Sequence, residues 1–541
     1  MPFARTTVRR RPPLIKRAVA QVEEVPAPNG GWNTRDALAG MPPEDAVVLE
    51  NWWPNTTTVD VRKGYTPWTA SLQGYVETLL AYSGQTTQKL FAATSTGTIY
   101  EVTTADSFLT TETGAYLLTE SGDNLVLDAV GSSSSQTGLT NGRLQYVNFS
   151  TAGGNYIIAA NGADDVLSYD GSAWANPSIT GVTSANLIGV TAHKERLWFV
   201  ESGTLRAWYL PVNSIAGAAS ALDLRSVATN GGYIMAIDTW TIDAGYGVDD
   251  LWVAITSNGE VIVYRGTDPA SASTWALVGV WQIGEPIGRR CFFKWSGDLL
   301  IITRDGILPM SGALQSSRTN PKVALTDKIQ STMAQSALDD AANFGWQMVF
   351  YPNANQLYLN VPEVERIRQV QYVMNTITKA WTKFSGWNAG CWVVYNNILY
   401  FGGYQFVGRA WDGTSDAGTD ISVNAIQAFN DLKRPGRTKR ATMFKATFYT
   451  NGSPEIFGGL NIDYNTTKNE SSLQVQTSLY GTWDTGTWDS SLWAPALDVR
   501  NSWNGAAGVG DSFAPTITGD FADIDFQWIT SSIVFEQGGI L

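Results

Sequence analysis

The chain has two cysteines, Cys291 and Cys391, and one histidine, His193, and these bound the chemistry available to it. A Ser-His-Asp triad or a Cys-His pair would have to use His193. That residue stands in Ala192-His193-Lys194-Glu195, just ahead of an apolar run and without a nucleophile motif, and it reads as a turn histidine. No Cys and His cluster is spaced to hold zinc, and no Gly-x-x-x-x-Gly-Lys-Ser/Thr loop is present to cradle a nucleotide. Each cysteine opens an apolar run, Cys-Phe-Phe and Cys-Trp-Val-Val. That context predicts buried free thiols in a protein made in a reducing cytosol. No catalytic, metal or cofactor-binding residue is assigned, and no cofactor is expected.

Carboxylates carry the enzymatic alternative. Asp164-Asp165, Asp249-Asp250 and Asp339-Asp340 are adjacent pairs, and glycosidases work with two carboxylates. Neighbours on a strand face opposite sides, however, so such a pair is not an acid/base dyad by itself. Thr482-x-Asp484-x-Gly486 resembles a sialidase Asp-box, but it occurs once and Trp488 follows Gly486 too soon for that pattern. These residues read as turn carboxylates that accept hydrogen bonds from nearby backbone N–H groups.

Basic residues are grouped in two places. Arg5, Arg9, Arg10, Arg11, Lys16 and Arg17 give residues 1–20 a charge of +6 in a chain of net charge −13, which leaves −19 on the remainder. A basic, proline-punctuated arm on an acidic body predicts docking to an acidic partner or nucleic acid, and the six residues are candidates for binding an adaptor or a neighbouring subunit. The second group is Lys433, Arg434, Arg437, Lys439 and Arg440, between two strand patterns. It reads as an exposed hairpin loop or as a contact to a neighbouring acidic subunit. Without interleaved aromatic residues it is a poor reader of nucleic acid. The acidic body is likewise a poor candidate for gripping DNA.

The elements around these residues form one recurring pattern from residue 76 to about 413. A short apolar run, a Gly, Asn-Gly or Asp-Gly, and a second apolar run return repeatedly, as in Leu90–Thr94 with Gly97 and Leu251–Ile255 with Asn258-Gly259. Each unit predicts a hairpin, since glycine supplies the positive φ of tight turns and branched or aromatic residues suit a pleated sheet. Many such units predict an all-β fold, a β-propeller of about five to seven irregular blades, rather than one large sandwich. The 22 tryptophans suit gaps between sheets. Thr326-Asp327-Lys328-Ile329 opens the one convincing helix, with Thr326 as its cap, expected to lie outside a blade. Pro42-Pro43-Glu44-Asp45 can open one helical turn. No secretory signal is apparent, and no apolar run approaches the ~20 residues of a membrane span.

The two ends carry motifs of another kind. Asn29-Gly30-Gly31-Trp32, Asn51-Trp52-Trp53 and Arg62-Lys63-Gly64-Tyr65 precede the repeats. After them come a Trp-Asp-rich turn with Trp483, Trp488 and Trp493, a Gly508-x-Gly510 stretch, and a last strand running into Gly538-Gly539-Ile540-Leu541. In order and placement this set resembles the tail nozzle, or tail-tube, proteins of short-tailed bacteriophages. The resemblance implies a non-enzymatic virion subunit assembled in the host cytoplasm. It implies a homohexameric ring beneath the portal adaptor, in contact with other tail proteins such as fibre and plug, through which the genome passes without specific binding. The expected divisions are a basic extended arm at 1–28, the N-terminal part of a platform at 29–75, the propeller at 76–413 and a β-rich platform region at 414–541. The other functional readings are a tail-borne polysaccharide hydrolase and a non-enzymatic receptor-binding propeller.

Overall fold

A computed structural model describes residues 19–110, 117, 125–128, 132–243, 248–314, 323–467, 470–473 and 497–538. Its dominant feature is a closed ring of antiparallel sheets. Blade I contains Val76–Ser83, Gln88–Thr94, Ile99–Glu101 and Ser133–Gln136. Blade II spans 145–175, blade III 187–223 and blade IV 234–282, each four-stranded. Three strands, Phe292–Trp295, Asp298–Thr303 and Gly306–Pro309, form blade V. Blade VI is the four strands between 347 and 384, and blade VII begins with Cys391–Tyr395, Ile398–Gly402 and Val407–Ala410. The first strand of each blade touches the first strand of the next, and Cys391–Tyr395 returns to Val76–Ser83. The fold is therefore a β-propeller, with six four-stranded blades and one three-stranded sheet in the ring.

Blade VII is completed from far upstream. Tyr65–Thr69 pairs with Val407–Ala410 as its fourth strand. The expected boundary at 75/76 therefore moves, because a segment assigned to the platform closes the propeller. A ring sealed by hydrogen bonds between distant strands has no free edge at its joint. Aromatic rings fill the wedges between blades. Trp198, Trp252 and Trp275 pack together between blades III and IV, with Trp198 and Trp275 stacked at 5.6 Å. Tyr358, Trp387, Trp392 and Phe401 do the same between blades VI and VII.

The rest of the chain makes two facing sheets beside the propeller. One contains Trp52–Pro54, Val59–Val61, Phe526–Gln537 and Lys439–Thr450, with Asp498–Asn501 and Asn504–Gly510 along Lys439–Thr450. The other runs through Asp45–Glu50, Ile421–Gln427, Phe513–Phe521 and Ile456–Ile462. Trp52, Phe521, Phe526 and Trp528 meet between them at ring distances of 4.8–6.5 Å. Segments from both ends of the chain thus share one core. The second sheet is continuous with blade VI, since Glu50 pairs in parallel with Lys383.

Several local expectations change. Residues 21–26, placed in the extended arm, form a strand, Gln21–Pro26, antiparallel to Phe526–Gln537. Asp45–Glu50 is strand rather than the end of a helical turn, because Ala-Val-Val-Leu offers β-branched residues to a central sheet position. The helix Gln330–Asp340 lies against Gln356–Val364 of blade VI, after a 3-10 turn at Asp327–Ile329. Thr326 does not cap it: its Oγ1 accepts a hydrogen bond from the Ile307 N–H at 3.1 Å, tying the helix entrance to blade V.

Candidate functional site

The first strands of the seven blades enclose an axial cavity of about 630 Å³. Its polar lining includes Thr78, Gln145, Asp238, Arg290, Lys294 and Gln347, among apolar groups such as Val349 and Val393. Asp238 and Lys294 form an ion pair at 2.8 Å. Beside it lies a second cavity of about 470 Å³, lined in part by Asn161, Arg289, Phe344 and Arg366, which shares Met235 and Arg289 with the first. Volumes of this size suit a small molecule or a few side chains, not a nucleic-acid duplex.

Four arginines gather where the cavities meet. Arg143 leads into the first strand of blade II, and Arg289 and Arg290 into that of blade V. Arg366 sits at the turn between Gln356–Val364 and Arg368–Asn375 in blade VI, with positive φ. Glu77, buried in blade I, accepts from Arg143 Nε at 3.1 Å, Arg366 Nη2 at 2.6 Å and the Gly142 N–H at 3.0 Å. Glu365 takes Arg143 Nη2 and, at 3.0 Å, the Phe344 N–H. Arg290 donates to Thr78 Oγ1 at 2.6 Å and to the Leu144 carbonyl at 3.1 Å. Its guanidinium lies 4.9 Å from the centre of the Phe344 ring, and that of Arg143 lies 4.6 Å away. Burial lowers the Arg290 pKa from its ordinary value. Arg289, exposed like Arg366, donates from Nη1 to the Asn161 carbonyl at 3.2 Å. Among the described residues no carboxylate lies within ion-pair distance of it. Four guanidiniums thus face two carboxylates in a chain whose overall charge is negative.

This cluster escaped the sequence reading. The four arginines span 143 to 366, and only the common end of the blades brings them together. The one sequence signal is that Arg143 and the Arg289-Arg290 pair each follow a glycine, Gly142 and Gly288, just ahead of a first strand.

The residues singled out from sequence lie elsewhere. Arg5, Arg9, Arg10, Arg11, Lys16 and Arg17 are outside the described residues, as are Asp484 and the tryptophans at 483, 488 and 493. The 433–440 run is not a hairpin loop, because its flanking strands, Ile421–Gln427 and Lys439–Thr450, belong to different sheets. Lys433 pairs with Glu23 of the first strand, while Arg434, Arg437 and Arg440 are exposed. Lys439 is buried, and its Nζ donates to the Arg437 and Asp511 carbonyls at 2.8 and 2.7 Å, so it is a clamp and not a surface contact. Burial lowers its pKa. His193 is a buried strand residue rather than a turn residue; its Nδ1 lies 3.1 Å from Thr239 Oγ1, and the positive-φ turn begins at Lys194. Both cysteines are free and buried, and desolvation raises each thiol to about 12. Asp164 accepts from the Thr140 and Asn161 side chains at 2.7 and 2.6 Å, the turn role expected of it. Asp250 accepts from Thr241, and Asp339 from Gln335 on the helix. Among the described residues, Asp164, Asp165, Asp250, Asp339 and Asp340 line neither cavity.

The opening motif has a clear structural place. Arg62 is buried and forks onto Asp416 with contacts of 2.8 and 2.6 Å. Its Nε donates to Asn51 Oδ1 at 2.9 Å, and Trp387, 4.6 Å beneath the guanidinium, donates its indole N–H to Asp416 at 3.0 Å. An added Cβ on Gly64 would overlap the Ser415 carbonyl. These contacts join blade VII to the paired sheets. No protein-family profile matches the chain, and no curated protein matches it significantly. Among solved structures, the WD40 β-propeller domain of Doa1 aligns with 64% of this chain and 96% of its own, at 10% identity and a TM-score of 0.36. The computationally designed Ika8 protein aligns with 64% and 99% at 11% identity and a TM-score of 0.34. YCF48, solved bound to D1 peptide, aligns with 64% and 96% at 10% identity and a TM-score of 0.34.

Proposed function

We propose that the chain is a structural subunit of a short bacteriophage tail, one of six copies in a nozzle ring below the portal adaptor. The observation that carries this reading is the motif set at its two ends. It is supported by where part of that set lies. Asn51, Arg62, Gly64 and Tyr65 sit at the junction between the propeller and the paired sheets. A subunit of a load-bearing ring needs its modules locked together, and a buried, bidentate Arg–Asp pair stacked on tryptophan does this.

In this reading the genome runs between subunits, since the axial cavity of about 630 Å³ is too small for a duplex. An acidic body then acts passively, repelling phosphates so that the duplex slides. The basic arm of residues 1–20 docks onto the adaptor or a neighbour. Electron microscopy of the purified full chain with its adaptor tests the assembly: closed six-fold rings are expected, and monomers or trimers at all concentrations would overturn it. The hydrolase reading predicts turnover of a capsule polysaccharide that one carboxylate substitution abolishes; no turnover is expected.

A further inference from the structure

We propose that the arginine cluster at one mouth of the propeller axis is a binding site for a small oxyanion, a carboxylate- or phosphate-bearing molecule held by Arg289. The site is independent of whether the chain builds a ring. Arg143 and Arg366 are already engaged by Glu77 and Glu365, and Arg290 is turned into backbone carbonyls, Thr78 and Gln347. Arg289 has one carbonyl partner and projects between two connected cavities, the smaller about 470 Å³. A guanidinium presents five donors in a rigid fork that matches a carboxylate or a phosphate, and here most of them are unused.

The surroundings favour an anion over a cation or a neutral ligand. Arg143 and Arg366 line the same smaller cavity, and burial first, and then repulsion from Arg143, lower the pKa of Arg289. An anion between them relieves that repulsion. The lining of this cavity also includes Gly162, Ala163, Ala341 and Ala342. Small side chains leave room there for the body of the ligand. Phe344 is fixed by its two guanidinium contacts and by its N–H bond to Glu365, so the pocket is in place before anything enters.

The two ligand chemistries separate in one titration. The full chain is titrated calorimetrically with inorganic phosphate and, separately, with succinate, each against sodium chloride of matched ionic strength. Saturable binding of one of the two is expected, and the one that binds identifies the class. Arg289→Gln weakens it by about tenfold or more, the loss of a charge-assisted bidentate contact. Arg289→Lys, which keeps charge and loses the fork, falls between. Arg225→Gln, at an exposed arginine paired with Asp223, binds as the wild type does. An unchanged thermal midpoint for Arg289→Gln without anion shows that the fold is intact. The assignment is overturned if neither anion binds beyond the chloride control, if Arg289→Gln binds as the wild type, or if duplex DNA is the sole anionic species whose binding depends on Arg289.

Discussion

Arg62 shows how one side chain can hold two modules together. A buried pair that loses one partner leaves the other charge stranded, at a cost of about 3–5 kcal/mol. Arg62→Met is therefore expected to lower the thermal midpoint at a fixed scan rate by several degrees, and Arg62→Lys to recover only part of it. Equal midpoints for Met and Lys variants would mean that the fork onto Asp416 contributes nothing. Two other buried groups act on pH dependence with opposite sign. Burial first, and then Lys194, push His193 from 6.5 down to about 4. Between those values the unfolded chain binds the proton and the folded one does not, so stability falls as pH drops from about 6.5 to about 4. Burial pushes Asp60 from 3.8 up to about 6, against the hydrogen bonds from Thr58 and Asn55. There the folded state holds the extra proton, so its stability falls as pH rises from about 4 to about 6. His193→Gln should therefore protect the protein at pH 4.5 relative to the wild type. Asp60→Asn should raise the midpoint at pH 7.5 and do little at pH 4. Thermal scans of both variants across pH 4 to 8 check the signs.

At the scale of elements, the closing strand is the most exposed to test. A chain beginning at residue 19 keeps Tyr65–Thr69 and should fold. A chain beginning at residue 72 loses that strand and Arg62, leaving Val407–Ala410 as an open edge. It should aggregate, or unfold at a markedly lower temperature with a broadened transition. Two soluble products with equal midpoints would show that the seal is dispensable. The hairpins were legible because their signals are local. Gly97 and Gly259, with φ of 79° and 80°, sit in turns of the predicted kind between the predicted runs. Tyr65–Thr69 was not legible as a blade strand. It contains Pro67, reads as the exit from the Arg-Lys-Gly turn, and its partner lies about 340 residues away, so only the closed ring reveals the pairing. A turn was read at Ala192–Glu195, but its start at Lys194, one residue past His193, was not legible. Lys194 and Glu195 adopt positive φ without being glycine or asparagine, and the tight hairpin imposes that conformation. The arginine mouth had no local signal to read, since each of its residues is ordinary on its own strand or turn.

At the scale of the molecule, charge and assembly are the accessible tests. Removing residues 2–17 deletes the six basic side chains and is expected to leave a folded protein that no longer joins tails at physiological salt. Normal incorporation of the truncated chain would reject the docking role. Residues 29–541 titrated against duplex DNA at low salt should show no micromolar binding, as like charge on the body predicts. The same whole-molecule layout sets an order of events. Gln21–Pro26 pairs with Phe526–Gln537, and Asp45–Glu50 pairs along its length with Ile421–Gln427. On a ribosome adding about 5–20 residues per second, the first of these strands emerges roughly 25–100 seconds before its partner exists. The opening segment must therefore stay unpaired through nearly all of synthesis. Its adjacent Glu23 and Glu24, between Val22 and Val25, guard it against premature pairing while it waits.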